Sequence, residues 1–149
     1  MTVATSWIYT PPSLDWVVDK TLYDAESEII RNIAQERSAV IIGRGGYYIL
    51  RQHPRCLNIS LHASIEFRQL RVQELYQLTA PQALKLIHST DKERARYLHA
   101  LTGHDCQDVC QYHVSLDTSV VGLEKAEDII LATLQARFGD IVPECEMEI

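Results

Sequence analysis

A run of four apolar residues that ends in a glycine-rich turn is the feature that most constrains the fold of this chain. The run is Ala39-Val40-Ile41-Ile42, and Gly43-Arg44-Gly45-Gly46 follows it directly. A short apolar run rich in β-branched residues is typical of a strand buried on both faces, as in the parallel sheet of an α/β protein. We therefore predict a strand over 38–43, with Arg44 at its carboxyl end.

The position of Arg44 indicates an anionic ligand. Open α/β sheets bind their ligands outside the carboxyl ends of the strands. A guanidinium has a planar fork of donors that matches the oxygens of a phosphate group. We therefore expect Arg44 to contact phosphate.

Length and composition are those of one globular domain. The chain has 149 residues, of which 46% are hydrophobic and 23% charged, enough for a sizeable core. We predict a single domain over 1–149, with an irregular lead-in at 1–12 and a frayed acidic tail at 140–149. No apolar run approaches the ~20 residues of a membrane span, and no signal peptide pattern is present. The four cysteines show no regular spacing, so we expect reduced thiols, a cytoplasmic location and no membrane partner.

Charge is unevenly distributed along the chain. The net charge is −6, which argues against a general nucleic-acid-binding protein. Residues 64–99 nevertheless carry six basic and four acidic side chains, whereas the rest of the chain carries eight and sixteen. A small phosphorylated ligand fits this pattern better than a long polyanion.

The pattern of apolar residues predicts an alternation of helices and strands. Glycines at 103 and 139 are expected to end helices, and Ser64 and the pair Thr79 and Gln82 are expected to cap helix starts. This alternation favours an α/β fold with a short, mostly parallel sheet. The predicted helices cover 13–36, 65–77, 79–101 and 122–138, with a helical turn at 47–51, and the predicted strands cover 38–43, 56–62 and 112–117.

Asp91 is a carboxylate on an otherwise apolar helix stripe, between Ile87 and Leu98. A carboxylate there is costly unless it is paired. Arg94 follows three residues later, within reach on the same helix face. Either the two form an internal ion pair that fixes the helix, or both face a cleft and hydrogen-bond a ligand.

Arg68 and Arg71 lie one turn apart on the preceding predicted helix. A solvated helix face is the usual explanation for such a pair. Alternatively, they converge with Arg44, Arg94 and Arg96 on phosphate groups, as arginines do when they stabilise a transferring phosphoryl group.

Two further segments have ordinary explanations. His104, Cys106, Cys110 and His113 have ligand types suited to zinc, but their spacing is not that of a standard zinc finger. We therefore predict a loop with free thiols and no metal site. The turn 117–119, Asp-Thr-Ser, either lines a site at the sheet edge or, as we prefer, forms local capping bonds.

No triphosphate-binding loop occurs in the sequence. Gly-x4-Gly-Lys-Ser/Thr is absent, and none of the four lysines follows a glycine. The turn at 43–46 lacks the loop length and the lysine that hold β- and γ-phosphates.

Several segments in fixed order carry a family resemblance. They are Ser27-Glu28-Ile29-Ile30-Arg31, Val40-Ile41-Ile42-Gly43-Arg44, Ala63 to Arg71, Asp91-Lys92-Glu93-Arg94-Ala95-Arg96-Tyr97, Tyr112 to Ser119, and Gly122 to Ala126. Together they resemble the cytidylate kinase-like branch of the P-loop nucleoside monophosphate kinases, from about Leu22 to Leu134. The resemblance implies an incomplete three-layer α/β/α kinase-like fold, with lid-type helices over 64–103.

The resemblance also implies an activity and roles for individual residues. The family transfers the γ-phosphoryl group of ATP to CMP or dCMP with Mg²⁺. By resemblance, Arg44, Asp91 and Arg94 bind the monophosphate nucleotide. Arg68 and Arg71, with Arg94, are the expected catalytic residues, because they match arginines that approach ATP and the transferred group.

The family fold begins with a strand and P-loop that this sequence does not show. That strand is central in the family, between the partners of 38–43 and 56–62. Here those two strands pair directly, or residues 3–9 fill the gap, or another chain does. We expect the isolated chain to be inactive as a kinase. It remains open whether it is a truncated kinase, a non-catalytic nucleotide-binding or regulatory module, or a self-associating structural remnant that forms a homodimer.

Overall fold

The computed structural model describes residues 20–103 and 108–139. The described helices are α1 (Lys20–Glu36), α2 (Gly46–Ile49), α3 (Ile65–Tyr76), α4 (Ala80–Thr102), α5 (Thr118–Val121) and α6 (Leu123–Phe138), with one 3-10 turn at Val109–Gln111. The described strands are β1 (Ile59–His62) and β2 (Val114–Asp117). The predicted lead-in at 1–12 and tail at 140–149 lie outside the described residues, as does the part of the first predicted helix before residue 20.

The two strands form a parallel sheet, as predicted. Ile59 pairs with Val114 and His62 with Asp117, so both strands end at the same edge of the sheet. The connection between them runs through α3 and α4, which is the crossover that parallel strands require. The described chain is thus mostly helical with a short parallel sheet, and the predicted α/β class is confirmed.

The predicted strand over 38–43 is wrong. Residues 38–42 have no regular secondary structure, and Val40 and Ile42 are 90% and 76% exposed. Within the described residues, no backbone hydrogen bond joins 39–42 to another segment. β-Branched residues form a strand only where a neighbouring strand offers a ladder, and the described part of the chain places none beside this run.

This finding removes one of the three arrangements expected for the sheet. Because 38–43 carries no ladder bond to β1, the two segments do not pair directly. Residues 3–9, which the second arrangement invokes, lie outside the described residues.

The helix boundaries follow local capping chemistry. Ser64 Oγ accepts a hydrogen bond from the Phe67 N–H at 3.2 Å and so caps α3. The Thr79 N–H donates to Gln82 Oε1 at 2.9 Å in the expected capping box at the start of α4. Gly103 adopts a φ of 70° at the end of α4, a left-handed conformation that glycine adopts without strain.

The apolar core is small. Within the described residues, the buried hydrophobic side chains are Ile30, Ile49, Ala83, Ile87, Leu98 and Ala126. They come from α1, α2, α4 and α6, whereas α3 buries none of its side chains. None of the described helices is both long enough and apolar enough to cross a membrane.

Gly46 packs tightly against the side chain of Ile41. A Cβ at position 46 would lie 2.9 Å from Ile41 Cγ2 and 3.7 Å from Ile41 Cβ. We predict that Gly46→Ala destabilises the fold by about 1–3 kcal/mol through overpacking. Thermal unfolding should show a much smaller loss when Gly46→Ala is added to the Ile41→Ala variant than when it is added to the wild-type chain. The reason is that Ile41→Ala removes the Cγ2 methyl group that would clash. An equal loss in both backgrounds would contradict the contact.

Candidate functional site

Helix α4 presents three polar side chains in one row. Asp91, Arg94 and Tyr97 recur every three residues, so each lies beside the next, and the row winds about 120° around the helix from Asp91 to Tyr97. At a rise of 1.5 Å per residue, the six-residue step from Asp91 to Tyr97 spans about 9 Å. We call this set the α4 polar face.

Arg68 of α3 is bound at one end of the α4 polar face. Its Nη1 donates to Asp91 Oδ2 at 2.8 Å and its Nη2 donates to Asp91 Oδ1 at 2.6 Å. This is the two-pronged geometry of the stronger arginine–carboxylate pairs. The side chains of Arg68 and Asp91 are 35% and 41% exposed, so water still reaches the pair.

This contact changes the partner expected for Asp91. The sequence spacing offered Arg94 on the same helix, whereas the carboxylate pairs with Arg68 on the neighbouring helix. Arg94 is exposed one turn along α4, and Arg71 is exposed one turn along α3. Asp91 is therefore an interhelical ion-pair partner, and the predicted ligand contacts of these residues stay predictions.

Arg44 is bound at the other end of the α4 polar face. Its guanidinium donates to Glu26 Oε1 of α1 and lies 5.5 Å from the centre of the Tyr97 ring. The Tyr97 hydroxyl donates to Glu26 Oε2 at 3.4 Å. The Arg44 and Glu26 side chains are half-buried, and their contacts join α1, the turn before α2 and α4.

The backbone of the glycine-rich turn is left-handed at three successive residues. Gly43, Arg44 and Gly45 have φ values of 69°, 53° and 66°. The two glycines adopt this conformation freely, whereas Arg44 pays roughly 1–2 kcal/mol for it. Strain of this kind persists where surrounding contacts hold the residue, and Glu26 and Tyr97 supply those contacts.

The structure thus brings two predicted arginines to the same helix. Arg68 contacts Asp91 and Arg44 contacts Tyr97, both on the α4 polar face. Arg96 is two residues from Arg94, so its side chain leaves α4 on a different side. Each of the two bound guanidiniums already has a carboxylate partner, Asp91 or Glu26.

The carboxyl edge of the sheet forms local hydrogen bonds, as preferred from the sequence. Asp117 Oδ1 accepts from the Ser119 N–H at 2.9 Å and from the Ser119 hydroxyl. Ser119 Oγ also accepts from the Ser64 N–H at 3.1 Å, and the Thr118 hydroxyl donates to the His62 carbonyl at 3.1 Å. The Ser119 hydroxyl hydrogen bond is the main cause that lowers the pKa of Asp117 below its ordinary value. These bonds join the ends of both strands to the start of α5.

Two comparisons place the chain among known proteins. The model of the cytidylate kinase-like family matches residues 2–120, which is most of the sequence. The chain belongs to the cytidylate kinase-like family. A search of curated proteins finds no significant match.

A solved structure shares the fold of this cytidylate kinase-like chain. It is the crystal structure of an uncharacterized protein from Eubacterium ventriosum ATCC 27560, with a TM-score of 0.76 and 24% identity. The alignment covers 80% of this chain and 75% of that one. The similarity confirms the fold and carries no statement about activity.

The Cys/His loop of this cytidylate kinase-like chain is only partly described. His104 and Cys106 lie outside the described residues. Cys110 is exposed, and His113 Nδ1 accepts from the Asn58 N–H at 2.9 Å, which helps to hold the two strands in register. Cys56 is a free thiol whose pKa is raised by burial. Within the described residues, no three His, Cys, Asp or Glu side chains are grouped to hold a metal ion.

Glu26 and Tyr97 are site residues that sequence analysis missed. Tyr97 continues the three-residue spacing of Asp91 and Arg94, so its position carried a signal. Glu26 carried none, because its contact with Arg44 joins residues 18 positions apart. Only the packing of α1 against the turn before α2 brings them together.

Proposed function

We propose that this cytidylate kinase-like chain binds a nucleoside monophosphate, CMP or dCMP, along the α4 polar face. The observation that carries the proposal is that Arg68 and Arg44 approach this face from two different elements, at points about 9 Å apart along the helix axis. Family membership supports the nucleotide as the ligand class.

The residue roles follow from charge and position. Arg44 and Arg94 bind the phosphate of the monophosphate nucleotide, because guanidinium forks match phosphate oxygens. Asp91 accepts hydrogen bonds from the nucleotide. Arg68 and Arg71 lie on α3, one turn apart, and match family arginines that approach ATP and the transferred phosphoryl group, a role that this chain would perform only together with a triphosphate-binding loop. These roles are supported by the family pattern at the same positions.

ATP and Mg²⁺ enter only as what the family implies. The 149 residues contain no glycine-lysine loop for a triphosphate, and the described residues offer no grouped metal ligands. Because the sequence offers no loop for the triphosphate that would carry the Mg²⁺, we assign no step through either group. We propose that the isolated chain binds the nucleotide without transferring phosphate, as a non-catalytic module acting in the cytoplasm.

A second candidate function is self-association. It is favoured by the exposed apolar run at 39–42, where Val40 is 90% and Ile42 is 76% exposed. An uncharged β-branched segment whose backbone hydrogen-bonds to no other segment of the described residues is a template for pairing with another chain. We propose a homodimer in which this run contacts the second copy.

We predict that calorimetric titration detects CMP binding and that Arg68→Gln and Arg44→Gln each weaken it about tenfold or more. A hydrogen bond to a charged group contributes roughly 1.5–3 kcal/mol, which corresponds to at least this factor. Arg37→Gln is the matched control, since Arg37 is exposed at the end of α1, and it should change the affinity less than twofold. Equal affinity in all four proteins would contradict the site.

We also predict that a coupled assay of ADP release finds no CMP-dependent turnover by the isolated chain. Robust phosphorylation would contradict the proposal of a non-catalytic module.

If no nucleotide raises the melting temperature, the chain is a structural remnant, because any ligand that prefers the native state must raise it.

For self-association, we predict that light scattering finds a dimer and that Val40→Lys converts it to a monomer. A charge within the paired run blocks the contact. Val120→Lys is the control, because Val120 is 79% exposed on α5, away from the run. A monomeric wild-type chain, or equal dissociation by both variants, would contradict the dimer.

A further inference from the structure

The Arg68–Asp91 pair occupies the donors that a phosphate group would use. Both Nη atoms of Arg68 donate to the two oxygens of Asp91. We propose that the Asp91 carboxylate is bound exchangeably to the two Nη donors of Arg68, so that a phosphate group binds Arg68 only by displacing this carboxylate. This inference rests on the proposed function in taking phosphate as the chemical class of the ligand.

The geometry makes the two occupants mutually exclusive. A carboxylate and a phosphate group both present a pair of oxygens that match the same fork of N–H donors. A phosphate placed on the remaining donors of Arg68 would lie beside the Asp91 carboxylate, and like charges at this separation repel. Exchange avoids that repulsion, because Asp91 moves away as the phosphate arrives.

The exposure of the pair makes exchange accessible. Arg68 and Asp91 are 35% and 41% exposed, and ion pairs that water reaches contribute little net stability. A phosphate dianion carries more charge than a carboxylate, so it competes effectively for the same guanidinium. A fully buried pair would instead leave an uncompensated charge when opened.

Exchange also changes how α3 is held. No residue of α3 is fully buried, although Ile65, Phe67 and Val72 are half-buried. Among the described residues, two side-chain hydrogen-bonding contacts connect α3 to α4. One is the Arg68–Asp91 pair, and the other is the hydrogen bond from Gln69 Nε2 to the Ala80 carbonyl at 2.9 Å. Displacing Asp91 removes the first of these contacts and leaves the second, which lies next to the α3–α4 connection. The pair is thus a latch that an anionic ligand opens.

The test uses inorganic tripolyphosphate as the probe, because it presents phosphate oxygens without a nucleoside. Asp91→Asn keeps the side-chain shape and removes the charge that holds Arg68. We expect it to tighten tripolyphosphate binding about threefold to fivefold, as expected when a competing closed state is removed. Glu93→Gln is the matched control: it removes the same charge two residues along α4, without touching Arg68, and should change the affinity less than twofold.

A double-mutant comparison separates exchange from a general charge effect. In the Arg68→Gln background, Asp91→Asn should no longer improve binding, because the fork it frees is absent. Equal gains from Asp91→Asn and Glu93→Gln, or a gain that persists without Arg68, would overturn the latch. Absence of tripolyphosphate binding to every variant would overturn it as well.

The outcome for the latch is distinguishable from that for the proposed function. If tripolyphosphate exchange follows the expected pattern while CMP does not bind, the latch stands and the nucleotide proposal fails. Melting curves of each variant confirm that the compared proteins are folded. In the wild-type chain, the ¹⁵N resonance of the Arg68 side chain should shift on tripolyphosphate addition, and an unchanged resonance would contradict exchange.

Discussion

The ion pair between Arg68 and Asp91 joins α3 to α4, and α3 has no fully buried residue, although its apolar residues Ile65, Phe67 and Val72 are half-buried. In most domains, apolar burial positions the helices and polar contacts refine them. Here the charged pair adds to the partial burial of α3, and its own partial exposure keeps it open to competition. The same contact therefore joins α3 to α4 and leaves Arg68 available to an anion.

The second contact region, around Arg44, is built differently. Glu26 and Tyr97 hold the Arg44 guanidinium from two helices, and the backbone at Arg44 is left-handed. The cost of that conformation is offset by contacts on several sides. The Arg44 side chain is thus fixed by contacts with two residues, Glu26 and Tyr97, whereas the Arg68 guanidinium contacts the single carboxylate of Asp91.

The sequence predicted well those features that depend on local chemistry. The capping box at Thr79, the helix stop at Gly103 and the capping bonds after Asp117 all join residues within four positions of each other. Their energies do not depend on distant packing, so pattern and propensity suffice. The parallel pairing of β1 with β2 was also predictable, because strands separated by helices favour that arrangement.

The features that failed depend on distant packing. The run at 39–42 has strong β propensity, but propensity expresses fit to a neighbouring strand, and the described residues provide none there. The spacing offered Arg94 as one possible partner of Asp91, and the pairing of Asp91 with Arg68 could not be predicted because it depends on how α3 packs on α4. The contact between Glu26 and Arg44 could not be predicted from the sequence for the same reason, because it joins residues 18 positions apart.

The central claim is that Arg44, Arg68 and Arg94 act on one anionic ligand along α4. The most direct measurement is a titration of ¹⁵N-labelled protein with CMP that follows the side-chain resonances of these three arginines. We expect all three resonances to shift together and to give one common dissociation constant. Shifts confined to one arginine, or three unrelated dissociation constants, would contradict it.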